Sequence, residues 1–351
     1  MQRLNVGEIA KYDTDAMLDR ILNFPAQLRE AHRITQETDL RFDSTSIANV
    51  CLAGMGGSAI SGDVVKGLVH THLRVPMVVN RHYTLPAFVA RDSLVILSSY
   101  SGNTEETLEA YDQACAKKAQ IVCVTSGGKL RSKAEANRHP VVSIPTGFPP
   151  RAALGYLCIP ILFVLQCAQL IVYPESDLFE TIELLQKLRE AYHPAIANNK
   201  AKAISLKLQG RIPLIYASVA GFEAVALRWK AQLDENSKVM AFCNVFPELN
   251  HNEIMGYGPL QEISQQFQVI SLKDRNDHPQ VQKRMAITRE IIEKGSNPVI
   301  EVESEGNSLL ARMFSLIYLG DMVSFYLAIL NQVNPTSIDN IDYLKRRLSA
   351  S

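Results

Sequence analysis

Leu97-Ser98-Ser99-Tyr100-Ser101-Gly102-Asn103-Thr104-Glu105-Glu106-Thr107 is the stretch that decides the fold. Ahead of it, Ser93-Leu94-Val95-Ile96-Leu97 is a short apolar run of the kind that forms a buried strand. Behind it, Leu108, Ala110, Tyr111 and Ala114 share one helical face, and Thr104, Glu106 and Thr107 suit a first turn. Strand, hydroxyl-rich turn, helix: that order aims backbone N–H groups and hydroxyls at one point, where the positive end of the helix favours an anion. No lysine lies in the turn, so it is not the Gly-x-x-x-x-Gly-Lys loop that holds nucleoside triphosphates. Hydroxyls and amides without a fixed cation suit a small phosphomonoester.

Standing alone, such a turn is equally a helix cap. A second turn of similar design upstream favours the anion. Val50-Cys51-Leu52-Ala53 reads as a strand, Gly54-Met55-Gly56-Gly57-Ser58 as a glycine turn, and a helix is expected from Ala59. The spacing is not the Gly-x-Gly-x-x-Gly of dinucleotide-binding folds, which argues against a dehydrogenase. The expected phosphate cradle is Gly56, Gly57, Ser58, Ser99, Ser101 and Thr104.

Working outward, strands expected over 50–53, 75–79, 93–97, 119–125 and 141–145 alternate with helical patterns. This alternation is the signature of a parallel, doubly wound sheet with its binding edge at the strand C-termini. Helices over 15–23 and 25–32 are expected to pack on that sheet. Thr146-Gly147-Phe148-Pro149-Pro150-Arg151 opens an apolar helix over 152–170, and a charged helical stretch, 175–210, bridges to a second series. There, strands over 212–218, 239–245, 268–272 and 299–302 alternate with helices over 221–234, 280–294 and 308–330. The fold class is therefore α/β, two doubly wound domains with mainly parallel sheets flanked by helices. Their bounds are 1–170 and 211–351, with a helical connector over 171–210. The second half repeats the architecture without either cradle motif, so it must supply something other than phosphate binding.

Lysine plus arginine equals aspartate plus glutamate, 36 each in 351 residues, so no global field points to nucleic acid. No apolar run approaches the ~20 residues of a membrane span, and residues 1–5 lack a signal-peptide pattern. Cys51, Cys115, Cys123, Cys158, Cys167 and Cys243 form no Cys-x-x-Cys pair and read as reduced core residues of a cytoplasmic protein.

Two polar clusters in the second half carry candidate chemistry. Gln232-Leu233-Asp234-Glu235-Asn236-Ser237-Lys238 ends a helix, and on its own Glu235 reads as a solvated charge. Pro247-Glu248-Leu249-Asn250-His251-Asn252-Glu253-Ile254 crowds carboxylates around an imidazole. His251 with Glu248 or Glu253 suggests metal ligands, but the His-Glu-x-x-His spacing is missing. Ile341-Asp342-Tyr343-Leu344-Lys345-Arg346-Arg347 reads as a short basic helix. His278 precedes a helix start where Asp277 can cap and Pro279 can take the first position, and it reads as capping and interface structure.

Gly56-Gly57-Ser58 and Ser99-Tyr100-Ser101-Gly102-Asn103-Thr104 resemble the sugar-isomerase (SIS) domain. With the segments around Glu235 and His251, the chain resembles the bifunctional phosphoglucose/phosphomannose isomerase family over nearly its whole length. The resemblance implies SIS-type domains, a hexose 6-phosphate substrate, no cofactor and no metal. It implies conversion of glucose 6-phosphate, and of mannose 6-phosphate, to fructose 6-phosphate. Glu235 falls on the family's base, which moves a proton between C2 and C1 of a cis-enediol. His251 falls on the ring-opening acid/base, Lys345 on the lysine that assists it, and Arg151 on an arginine that holds or polarises the sugar phosphate. The fixed charge of Arg151 also suits a developing enolate oxygen. Thr336 is a weaker candidate at the C2 end of the pocket. Glu235 and His251 flank one expected strand, which hints at a homodimer whose site borrows His251 from a second copy, as the resemblance also implies. Two alternatives stay open: an SIS isomerase of another sugar phosphate, and a sugar-phosphate-binding regulator. The regulator needs a DNA-binding module, and residues 1–43 offer no basic recognition helix.

Overall fold

The computed structural model describes residues 4–219, 221–258 and 261–349. Strands β1 (Asn49–Ala53), β2 (Met77–Asn80), β3 (Ser93–Ser98), β4 (Gln120–Thr125) and β5 (Val141–Ser143) form one sheet, parallel throughout, in the order β2-β1-β3-β4-β5. Strands β6 (Ile212–Ser218), β7 (Phe242–Phe246), β8 (Phe267–Lys273) and β9 (Ile300–Glu303) form a second parallel sheet in the order β7-β6-β8-β9. Each sheet winds outward in both directions from a central pair, β1/β3 and β6/β8. A crevice opens there at the strand C-termini, where ligands of such folds bind. Every residue of β3 is buried, as expected of a strand covered by helices on both faces.

Alternation along the strands sorts the core. Leu52, Leu94, Ile96 and Val122 belong to one apolar cluster, and Cys51, Val95, Leu97 and Cys123 to another. The first continues into the second half of the chain through Trp229, Ile270 and Phe314, so the two sheets share one core. Its centre is the 22-residue helix Leu309–Leu330. That helix corrects the expectation that no apolar run nears membrane length: by length and composition it would span, but it is buried wholly inside the protein. Its two charges are paired there, Arg312 with Asp274 at 2.8 Å and Asp321 with Arg228 at 2.7 Å.

The halves touch backbone to backbone. A Cβ on Gly67 would sit 2.8 Å from the Gly221 Cα, so helices Gly56–Val69 and Phe222–Ser237 meet as closely as they do only because both positions lack side chains. All six cysteines are free thiols.

Three local expectations shift. The second helix begins at Met17, because the Asp13 carboxylate accepts from the Met17 and Leu18 N–H groups at 2.7 and 2.9 Å. The glycine turn is not a loop ahead of a helix at Ala59; Gly56, Gly57 and Ser58 are themselves the first turn of helix Gly56–Val69. At helix Pro279–Glu293 the cap is His278, whose ring accepts from the Gln280 N–H at 3.1 Å, with Pro279 in the first turn. Asp277 instead turns inward, accepting from Ser218 Oγ at 2.5 Å and the Asp274 N–H at 2.9 Å. The β6/β8 crevice thus holds a carboxylate of its own.

Candidate active site

At the β1/β3 crevice two helices start without a side-chain cap, Gly56–Val69 and Glu105–Ala116. Thr104 sits at the N-cap position of the second, but its hydroxyl bonds Ser99 Oγ at 2.9 Å and leaves the first-turn amides to other partners. The Gly102 N–H donates to Ser99 Oγ at 3.1 Å and the Asn103 N–H to Ser101 Oγ at 3.3 Å. The two turns are joined where the Tyr100 N–H donates to the buried Ser58 Oγ at 3.2 Å. All six expected cradle residues therefore lie on two adjoining turns, with Ser58 and Ser99 buried and Gly56 and Ser101 exposed.

Arg151 enters from a single 3-10 turn, Pro150–Ala152, ahead of helix Leu154–Cys167. This is later than the helix expected from 152, because Pro149 and Pro150 hold the chain in a turn. A Cβ on Gly57 would lie 2.7 Å from the Pro150 carbonyl oxygen and 3.1 Å from the Arg151 nitrogen. The glycine turn is thus the seat on which the arginine turn rests, a packing role that its sequence did not announce.

The Arg151 side chain is 4% exposed, and each of its three nitrogens has a partner. Its Nε donates to Asn236 Oδ1 at 2.7 Å, one terminal nitrogen to Glu235 Oε2 at 3.3 Å, and the other to the Pro335 and Thr336 carbonyls at 2.7 and 3.0 Å. Burial lowers the guanidinium from its ordinary value, and the Glu235 charge opposes that shift. Glu235 lies in the last turn of helix Phe222–Ser237, with its side chain 30% exposed. The arrangement offers a carboxylate held toward solvent beside a fixed cation, next to an anion cradle. The Thr336 hydroxyl is shielded from solvent and has no hydrogen-bond partner among the described residues.

Several contributors were missed in the sequence. Lys238 caps the helix end, donating to the Glu235 and Asn334 carbonyls at 2.7 Å each. Burial, with the Arg151 charge, brings its ammonium down to about 8. Behind Arg151, Arg228 donates to the Arg151 carbonyl at 3.0 Å and pairs with Asp321, which also accepts from Gln232 at 2.9 Å. Gln27 holds the Ala152 carbonyl at 2.8 Å. The signal for the Arg228–Asp321 brace was an aspartate inside an apolar helix, which must find a partner. Backbone carbonyls carry no such signal.

His251 and Lys345 are not bonded into this pair. His251 is exposed at the end of the 3-10 turn Glu248–His251 beyond β7, and Lys345 is exposed on helix Asp339–Ser349. Among the described residues, neither makes a hydrogen bond to Glu235 or Arg151. Glu248 accepts from Asn252 at 2.9 Å. Glu253 is engaged by the Tyr216 hydroxyl and the Asn244 amide, with Tyr257 OH 2.5 Å from Tyr216 OH, so its carboxylate anchors this turn to β6 and β7.

Residues 197–348 match the family model described as the bacterial phospho-glucose isomerase C-terminal SIS domain. The chain is 45% identical to the bifunctional phosphoglucose/phosphomannose isomerase of Caldicellulosiruptor bescii, over 95% of this chain and 99% of that one. It is 36% identical to the protein of the same name from Aquifex aeolicus, over 88% and 93%. In fold it is similar to the C-terminal domain of glucosamine-fructose-6-phosphate aminotransferase from Francisella tularensis, with a TM-score of 0.68, 16% identity and coverage of 90% and 96%.

Proposed function

The chain belongs to the bifunctional phosphoglucose/phosphomannose isomerase family, and on that premise we propose that it interconverts glucose 6-phosphate and mannose 6-phosphate with fructose 6-phosphate, without a metal ion. The observation that carries the reading is the Glu235–Arg151 pair seated against the glycine turn. The phosphate lies on Gly56, Gly57, Ser58, Ser99, Ser101 and Thr104. Once the sugar ring is open, its carbonyl acidifies C2. Glu235 takes the C2 proton and returns it to C1, while Arg151 stabilises the enediolate oxygen. Glucose and mannose 6-phosphates differ only at C2 and give the same enediol, so one base serves both if it reaches either face. Thr336 shapes the C2 end.

His251 opens the ring with help from Lys345, and it comes from a second copy in a homodimer. Glu235 precedes β7 and His251 follows it, and the five residues of that strand span about 17 Å at ~3.3 Å each. β7 is an edge strand whose first residue, Phe242, is 45% exposed, and Met240 just before it is 72% exposed, which suits a covering partner. A cytoplasmic location, with neither nucleic acid nor membrane as partner, suits six free thiols and a formal net charge of +0. In this reading the domains are 1–170 and 211–351, with the helical connector 171–210 between them.

A coupled assay with both hexose phosphates, before and after dialysis against EDTA, tests this reading. Turnover of both, unaffected by the chelator, is expected. Loss of activity restored by zinc would overturn the metal-free mechanism, and no turnover of either sugar would overturn the function.

A further inference from the structure

Tyr100 lies inside the cradle motif, yet its side chain points away from the hydroxyls. Its N–H donates to Ser58 Oγ at 3.2 Å, and its carbonyl accepts from the Ser126 N–H at 3.0 Å and the Ser126 hydroxyl at 2.6 Å. The phenol is buried, and its hydroxyl donates to the Pro145 carbonyl at 2.9 Å and accepts from the Phe148 N–H at 2.9 Å. Phe148 leads through Pro149 and Pro150 to Arg151. One residue therefore ties the two cradle turns and the β4 loop to the segment that carries the arginine. Beside the Arg228 and Gln27 bonds to its backbone, that segment also rests on Gly57, again a cradle residue.

We propose that Tyr100 is a positioning residue that couples phosphate occupancy of the cradle to the placement of Arg151 against Glu235. The inference rests on the cradle and Arg151 roles proposed above. Phosphate, remote from the reacting carbons, then contributes binding energy to the chemical step through a rigid path of two hydrogen bonds and two proline residues. Tyr100→Phe removes only the hydroxyl and keeps the ring and every backbone bond.

The test supplies the phosphate in a separate piece. Unphosphorylated glucose is incubated in deuterium oxide with and without saturating phosphite, and exchange at C2 is followed by NMR. The ratio of the two rates does not depend on how much of a preparation is folded. Wild type is expected to show strong activation by phosphite. In Tyr100→Phe that activation ratio should drop by about tenfold or more, while the phosphite dissociation constant, from competition with glucose 6-phosphate, stays within about threefold. An unchanged ratio overturns the coupling, as does a wild type that binds phosphite without being activated. Joint loss of phosphite binding and activation in the variant overturns it too, making Tyr100 a part of the cradle. If phosphite fails to compete with glucose 6-phosphate on the wild type, the cradle assignment itself is wrong, a separate result.

Discussion

Arg151 and Glu235 stand 84 positions apart, one in a 3-10 turn of the first half and the other in a helix of the second, yet their side chains meet at 3.3 Å. Four of the five guanidinium N–H groups are directed, toward Asn236, Glu235 and the carbonyls of Pro335 and Thr336. A planar fork fixed on that many sides presents its charge in one place. A lysine there could not do so.

Glu235→Gln keeps the shape of the side chain and removes its basicity. The other three partners of Arg151 remain, so the fold should survive. Turnover on glucose 6-phosphate is expected to fall by roughly 10²–10⁴ or more. Solvent deuterium should stop entering C1 and C2, as NMR of the sugar would register. Exchange at the wild-type rate would shift the role of base to another carboxylate.

Ser99 and Thr104 hold each other by their hydroxyls at 2.9 Å. Ser99→Ala with Thr104→Val removes both groups. Each charge-assisted hydrogen bond to a phosphate contributes ~1.5–3 kcal/mol, so affinity for a phosphorylated inhibitor should fall by a few kcal/mol. Calorimetric titration measures it, and unchanged affinity would leave the amides as the whole cradle.

The sheets and the two turns at their crevice were legible because short apolar runs and turn residues are local signals. The Ser99–Thr104 motif lies in consecutive positions, and any chain folding as strand, turn, helix brings its hydroxyls together. Arg151 was legible by resemblance, but its surroundings were not. Its acceptors are a side chain in the second half and two carbonyls near the C-terminus, and only tertiary packing places them. His278 was legible as capping structure, and it caps the helix through its ring; Asp277, which could have capped the same start, turns inward because the pull of Ser218 is non-local.

Asp321 is buried, and burial pushes its carboxyl upward while Arg228 opposes the shift. Asp321→Asn leaves the Arg228 charge, which holds the Arg151 carbonyl, without a counter-ion. Stability is expected to fall by about 3–5 kcal/mol. The double variant Arg228→Met with Asp321→Leu should recover much of that loss in urea titrations while turnover stays low, since the Arg151 turn has lost its brace.

Lys238 has an exposed stem, but its ammonium end is tucked among carbonyls, and its pKa is brought from 10.5 to about 8. Between those values the unfolded chain holds a proton that the native chain has released. The stability contribution of this group therefore rises with pH across that window and is level below it. Relative to Lys238→Met, the wild-type denaturant midpoint should climb from pH 8 to pH 10. A parallel course of the two proteins would show that the amine titrates normally.

The borrowed histidine has the sharpest test. Glu235 and His251 lie at opposite ends of β7, a strand of five residues, so a single subunit cannot readily bring both to one small sugar. In a two-fold dimer each site would combine Glu235 of one copy with His251 of the other. Glu235→Gln chains and His251→Ala chains, each inactive alone, are mixed, dissociated and allowed to reassociate. Random pairing makes about half of the dimers hybrid, and each hybrid holds one site with both lesions and one with neither, so activity should return to about a quarter of wild type. If each site instead lay within one chain, every hybrid site would keep a lesion. Subunit exchange verified by mass spectrometry, with no recovery of activity, would return His251 to its own subunit.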